Sequence, residues 1–259
     1  MDTPEEEVSP ALRAARDEVQ VLQRELALLR QRLEDFTYSV SHDLRAPLRH
    51  VSAYLKIIRE DLPQPVEPAI LSHLQTAGDA AALMGQQIDG LLELSRTGRV
   101  DMQWADVDLR RLVAEVQDKL APEIGARAID WQLAPDLPQL HGDITLLGRL
   151  LLCLLSNAVK FTRATPAARI RIGWQPAGPG WCEVQIEDNG AGFDPRFADR
   201  LFKVFQRLHS GRQFEGLGVG LALVRLVAER HGGTVRAEGA VDAGCRVSLL
   251  LPMVPVVPA

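Results

Sequence analysis

Between Leu12 and Val40 apolar residues recur every three or four positions, and that repeat limits what the chain can become. Leu12, Val19, Leu26, Leu33 and Val40 share one heptad position, and Ala15, Leu22, Leu29 and Phe36 share the other. Arg, Glu and Gln fill much of the space between them. A helix lying on a globular core follows a period of about 3.6 residues and drifts off a heptad seam within a few turns. A seam this long fits a coiled coil, which needs a second strand. The chain is therefore expected to be a dimer.

The seam then changes phase. Apolar residues continue at Val40, Leu44, Leu48, Val51, Leu55, Ile58 and Leu62, but the steps from Phe36 to Leu48 are all of four residues. Successive four-residue steps locally unwind a left-handed coil. The irregular stretch is "FTYSVSHDLRAPLRH", which sets His42 beside Asp43 and carries Pro47. Pro47 removes a backbone donor, so a bend is expected near it. "DLPQPVEP" (61–68) breaks the helix. A second follows, with a seam at Ile70, Leu74, Ala77, Ala81, Met84, Ile88 and Leu91, ending near Gly98. Two antiparallel helices per chain, dimerised, give a four-helix bundle.

From Val107 the pattern is mixed. "DLRRLVAEVQDKL", "DITLLGRLLLCLLSNAVKFT" and "VGLALVRLVAERHGG" read as helices. "ARAIDWQL", "ARIRIGW", "WCEVQIE", "GTVRAEG" and "CRVSLLLP" read as strands, the middle pair joined as a hairpin through "QPAGPG". The expected architecture is α plus α/β: a helical hairpin followed by an α/β sandwich of one mixed sheet against helices. The expected division is 1–35 coiled coil, 36–100 hairpin, 101–252 α/β domain and 253–259 loose tail.

Composition closes off other classes. With a net charge of −5, a nucleic-acid binder is not expected. Cys153, Cys182 and Cys245 are scattered and form no CxxC pair, which suits core residues in a reducing compartment. The longest apolar stretch, "LLGRLLLCLL", is short for a membrane span and carries Arg149, and "MDTPEEEVSP" has no hydrophobic signal core, so a soluble, cytoplasmic chain is expected.

Three clusters carry candidate chemistry. In "SNAVKFT", the Asn157 amide oxygen can ligate Mg²⁺ and Lys160, nearly a turn on, can meet phosphate; alone, the pair equally fits the solvated side of a helix. "EDNGAGFDP" puts Asp188, Gly190 and Gly192 directly after a strand, where a carboxylate can accept from an exocyclic amine; alone, it is also an ordinary turn. "EGLGVGLALV" leads Gly216, Gly218 and Gly220 into a helix N-terminus, an anion-binding arrangement that is neither a P-loop nor a dinucleotide fingerprint.

Taken in this order behind a helical hairpin, the clusters resemble the sensor histidine kinases of two-component signalling, over nearly all of Phe36 to Pro252. "FTYSVSHDLRAPL" is similar to that family's H box, "LLCLLSNAVKFT" to its N box and "DNGAGF" to its G1 box. "LFKVFQRLH" is similar to the F box and "GLGVGLAL" to the G2 box. "SHDLRAPLR" and "FQRLHSGRQFEGLGVGLALV" resemble in particular the kinase modules of bacterial phytochromes. The resemblance implies that His42 is the phospho-acceptor, oriented by Asp43, with Arg45 holding phosphoryl charge and Pro47 marking the docking bend. It gives Asn157 the Mg²⁺, Lys160 the phosphates, Phe161 a face of adenine and Asp188 the adenine amine. Gly190, Gly192, Gly216, Gly218 and Gly220 would shape the cleft, and Phe202 and Phe205 would pack the base of the lid or simply the core. Arg207 would reach the γ-phosphate, or stay solvated; Lys203 and Arg212 are further phosphate neighbours. His50, His209 and His231 read as structural or solvated.

Two positions depart from the family. A second Asn that many members carry one turn before the Mg²⁺ ligand is Cys153 here, and the Thr or Asn four residues after the acceptor is Ala46, which lowers the expected phosphatase activity. The implied function is an ATP-dependent, dimeric protein-histidine kinase that phosphorylates His42 and passes the group to an aspartate of a response regulator receiver domain, under an upstream sensor domain or partner. The alternatives are a net phosphatase on the same fold, a non-signalling ATPase of the gyrase and Hsp90 group, and a silent dimerisation scaffold.

Overall fold

A computed structural model describes residues 10–63, 65–208 and 213–254. Helix α1 (Pro10–Asp61) runs unbroken past the boundary expected at 35 and through Pro47. Helix α2 (Pro68–Arg99) begins with proline at its first turn, where the missing N–H costs nothing. The two pack as an antiparallel hairpin, tied by Arg45 to Asp89 and by Arg99 to Asp35 at 3.1 Å. The described seam side chains of α1 stay open: Val19, Leu22, Leu29, Leu33 and Phe36 are all exposed. On α2, Ala81, Ile88 and Leu92 are buried while Met84 and Ile70 are not. Of the heptad residues, the Leu12, Ala15 and Leu26 side chains lie outside the described residues.

The rest is an α/β sandwich. Its elements are β1 (Trp104–Asp108), α3 (Leu109–Ile124), β2 (Ile129–Leu133), β3 (Gln139–Asp143), α4 (Ile144–Phe161), β4 (Ala168–Pro176), β5 (Trp181–Asp188), a 3-10 turn (Pro195–Arg200), α5 (Gly220–Arg230), β6 (Thr234–Gly239) and β7 (Cys245–Pro252). Five strands form one sheet in the order β2-β4-β5-β7-β6, parallel only between β2 and β4. Alternation turns Ile170, Ile172, Val184, Ile186, Val247 and Leu249 onto α3, α4 and α5. Helix α4 answers with Leu146, Leu147, Leu150, Leu151, Leu154 and Leu155, all buried. It is 18 residues long, within the stretch read as a helix from the sequence, and apolar enough to cross a membrane by length and composition. Those leucines are spent on the sandwich core.

The small antiparallel sheet of β1 and β3 was not expected. Each strand is five residues, and the burial pattern of β1 leaves one residue inside, too little alternation to read. Asp143, ending β3, joins the domains. Its Oδ1 caps α4 through the N–H groups of Thr145 and Leu146, and its Oδ2 accepts from Gln103 N at 2.8 Å, just after α2. Burial works against that charge, but the three backbone donors outweigh it and hold the carboxyl below its ordinary range. The first residues beyond Pro252 are not loose: Met253 bridges to Leu140, and Val254 N donates to Gln139 O.

Candidate active site

The hairpin half is built on α1. His42 is exposed, and its Nδ1 lies 3.3 Å from Asp43 Oδ1. A proton on Nδ1 would satisfy that carboxylate and leave the Nε2 lone pair facing solvent. Arg45, one turn on, reaches across to Asp89 on α2 rather than toward His42. Ala46 is exposed beside them, and so is His50. His231 is a structural residue: it is buried, its Nδ1 is 2.8 Å from Val227 O and its Nε2 accepts from Asp143 N at 3.0 Å, which fixes a neutral tautomer. Burial holds its pKa below the ordinary value. His209 and Arg212 lie outside the described residues.

The other half is a pair of adjoining cavities between α4, the sheet and the start of α5. One is mostly apolar: Leu154, Ala158, Ile186 and Val247 line it, with Asp188 at its wall. Asp188 ends β5, and its Oδ1 accepts from Gly190 N at 2.8 Å. Burial pushes its pKa up to about 6, against hydrogen bonds from the Gly190 and Cys245 backbone and with Glu187 adding repulsion. A single carboxylate in an apolar wall is a strong acceptor with few protein partners.

Two glycines let the loop after β5 pack closely against neighbouring backbone. Gly192 has φ +59°, and a Cβ there would meet Ala240 O at 1.8 Å. At Gly190 a Cβ would stand 2.5 Å from Phe161 O. Sequence reasoning missed Cys245 in this wall. Its thiol is pushed up to about 12, first by burial and then by Asp188, so it stays protonated. The signal available was its place opposite Asp188 in a strand pair, which needs the register.

The second cavity is also largely apolar in its lining but carries the basic side chains Lys160 and Arg207, with Glu215 beside them. It shares Asn157 and Phe161 with the first and adds Lys160, Arg207, Gly216, Gly218 and Gly220. Lys160 Nζ donates to Asn157 Oδ1 at 3.0 Å and sits 4.6 Å from the Phe161 ring centre, whose edge meets Phe214. Burial lowers the lysine's pKa, opposed by Glu215 and Glu123. Arg207 is turned to Phe214 O at 2.7 Å. Glu215, unforeseen from the sequence, forms a double hydrogen bond with Arg163, which draws its pKa down to about 2. Gly218 (φ +71°) lies against Gln206 and Phe205, and its carbonyl accepts from Phe205 N at 2.8 Å. Phe205 itself has φ +61°, a strained backbone for a phenylalanine. Gly220 has room for a methyl group, with Cys153 Sγ 3.7 Å from where it would sit. Phe202 is buried in the core, and Lys203 is exposed.

Nine of the ten nucleotide-site candidates line the two cavities, Gly190 stands behind Asp188 as its hydrogen-bond donor, and His42, Asp43 and Arg45 lie apart from them on the hairpin. Two family profiles divide the chain the same way. Residues 32–99 match the His Kinase A (phospho-acceptor) domain, and residues 142–255 match the Histidine kinase-, DNA gyrase B-, and HSP90-like ATPase. The chain belongs to the sensor histidine kinases. Among relatives of these kinases, cyanobacterial phytochrome B of Nostoc sp. is 31% identical over 88% of this chain and 30% of its own length. The methanogenesis regulatory histidine kinase FilI of Methanothrix harundinacea is 32% identical over 92% of this chain and 26% of its own. The chain thus spans about a third or less of these curated relatives. Among solved structures, full-length ShkA in complex with AMPPNP superposes with a TM-score of 0.60 at 22% identity, over 86% of this chain and 47% of that one, a likeness of fold. A mycobacterial sensor histidine kinase, MprB, gives 0.51 at 26% identity, over 60% of this chain and all of that one.

Proposed function

We propose that this histidine kinase binds ATP in the double cavity, phosphorylates His42 and passes the phosphoryl group to an aspartate of a response regulator receiver domain. The observation that carries the reading is a buried carboxylate and a basic recess in one cleft, with an exposed, carboxylate-paired histidine on a separate hairpin. In this reading the adenine amine donates to Asp188, with Gly190 and Gly192 allowing the ring to lie against backbone. Lys160 and Arg207 take the phosphates, with the Gly216, Gly218 and Gly220 turn beside them at the start of α5. Phe161, at the joint of the two cavities, packs the base.

The residues fit a divalent ion held through phosphate. No cluster of three His, Cys, Asp or Glu residues able to hold a metal occurs among the described residues. Mg²⁺ needs few protein ligands when phosphates supply the rest, and the Asn157 oxygen, now accepting from Lys160, is the one that would serve. Bound there, the ion would neutralise developing charge on the triphosphate. Cys153 adds nothing to it, because burial pushes its thiol up to about 11, and it stays protonated.

In the transfer itself, Nε2 of neutral His42 attacks the γ-phosphorus in line. An N–P bond forms, the bond to the β,γ-bridging oxygen breaks, and ADP leaves. The proton stays on Nδ1, hydrogen-bonded to Asp43, whose carboxylate compensates the charge gained by the ring. The open α1 seam is the reason to read the working unit as a homodimer, with hairpins paired into a four-helix bundle. We place the domain limits at 1–35, 36–100 and 101–252, and the site of action in the cytoplasm, where ATP is available, under an upstream sensor. The net-phosphatase and non-signalling ATPase readings are not favoured, since the acceptor hairpin and nucleotide cleft occur together and Ala46 offers no group to hold water.

The test is incubation with γ-labelled ATP and Mg²⁺, followed by acid and base treatment. Label on protein that is lost in acid and survives base supports the reading. Label stable in acid, or none, contradicts it.

A further inference from the structure

Arg45 and Asp89 form the one ion pair that links α1 to α2 within a turn of His42 among the described residues. Arg45 lies three residues after His42, so both side chains emerge on one face of α1. The neighbour of Asp89 is Gly90, on which Val219 is seated so closely that a Cβ would lie 2.7 Å from Val219 Cγ2. Val219 stands between Gly218 and Gly220 of the nucleotide cleft. The α/β domain therefore meets the hairpin at the level of this ion pair.

While His42 is bare, the Arg45 guanidinium fork leans toward α2, its Nη2 donating to one carboxylate oxygen of Asp89. A phosphoryl group on His42 carries about two negative charges, and the face it shares with Arg45 brings it into competition for the same fork. We propose that Asp89 is a positioning residue for phosphoryl transfer: it holds Arg45 on α2 until His42 is phosphorylated and opposes its release. The proposal rests on His42 being the acceptor. It makes Asp89 a brake on the step, since a partner that binds the reactant state and not the product shifts the equilibrium toward reactant.

The test uses the full chain and the reversible step, His42 plus ATP giving phosphohistidine plus ADP, at fixed ATP to ADP ratios. Loss of an exposed pair predicts that D89N moves the equilibrium toward phosphohistidine by about two- to fivefold. D89E keeps a carboxylate and is expected to match wild type. In an R45A background, adding D89N is expected to change nothing. ATP affinity by calorimetry and helix content by circular dichroism are expected to be unchanged by D89N, and Asp89→Ser replaces it if the amide disturbs the hairpin. An unshifted equilibrium in both variants, or a shift that persists without Arg45, overturns the role of Asp89. A wild-type chain that takes no label overturns the acceptor assignment itself, a different failure.

Discussion

The hairpin and the α/β domain treat apolar residues in opposite ways. On α1, Leu29, Leu33 and Phe36 are 62%, 67% and 65% exposed, whereas Leu150, Leu155, Ile170 and Leu249 in the sandwich are at 0%. Burying a leucine is worth about 1.5–3 kcal/mol, so an open seam of this length is stable in water only when something covers it. Its heptad spacing suits the proposed homodimer, in which a second copy of the helix would cover it. The sandwich needs no such partner. The polar groups divide likewise. The hairpin's ion pairs are exposed and each contributes about 0–1 kcal/mol, whereas Asp188 carries a burial cost that the Gly190 and Cys245 backbone donors offset only in part. The hairpin is incomplete as a structure, and the sandwich is complete but holds a site that is strained without its ligand.

That contrast can be broken from either side. The largest effect is expected from Gly192→Val. The left-handed backbone alone costs about 1–3 kcal/mol, and the Cβ placed against Ala240 O forces the main chain to move. Nucleotide binding by calorimetry should be lost, while the helical signal and dimer mass contributed by the hairpin persist. Loss of the dimer as well would mean that the two regions fold as one unit.

Next is the seam. Leu29→Glu with Leu33→Glu puts charges into the dimer core, and sedimentation should show monomers at concentrations where the wild type is a dimer. Affinity for ATP per chain should stay within about twofold, a shift of about 0.4 kcal/mol.

Asp188→Asn sharpens the comparison by separating stability from function. The folded carboxyl titrates near 6, above its ordinary 3.8, so the folded state binds the proton more tightly. The stability associated with this group is fully present below about 4 and is lost as pH rises toward 6. At pH 7 the ionised carboxylate therefore weakens the empty protein, and the amide is expected to raise its melting point, with a gain of up to about 3 kcal/mol. ATP binding moves the other way, weaker by about 1.5–3 kcal/mol, because a charged acceptor for the adenine amine is gone. In the wild type, ATP affinity should fall as pH drops below 6. A variant that loses both stability and affinity would make Asp188 a structural residue.

The smallest effect is expected at Ala46. A threonine there costs about half a kcal/mol of helix propensity and adds a hydroxyl beside His42 that can hold a water in line with a phospho-aspartate. The decay of a phosphorylated cognate regulator should be slow with wild type and faster with Ala46→Thr. Rapid decay with wild type, unaltered or slowed by the threonine, would show that another group positions the water.

The two regions were also unequally legible. Heptad spacing and the broken stretch at 61–68 carried the hairpin, because a coiled-coil seam is a local pattern. Strands β4, β5 and β7 were legible for the same reason, through alternation. β1 and β3 were not, because each is five residues with little alternation and they form a sheet only with each other, across α3 and β2. In the site, Asp188 and the glycines were each ambiguous alone, as ordinary turns, and became legible through the order of the clusters behind the hairpin. Cys245 and Glu215 did not, since one enters by strand register and the other by an ion pair across 52 residues. That Arg45 pairs with Asp89 belongs to the same group: the partner lies 44 residues away and nothing local marks it.

The central claim is that acceptor and nucleotide site lie on separate, chemically independent regions. The most direct measurement is made on His42→Gln, following acid-labile phosphate and ATP affinity in the same preparation. No acid-labile label is expected, with an affinity within about twofold of wild type, since His42 lines neither cavity of the cleft. Persistent acid-labile label would contradict the acceptor assignment and turn attention to His50. A large loss of ATP affinity would contradict the separation.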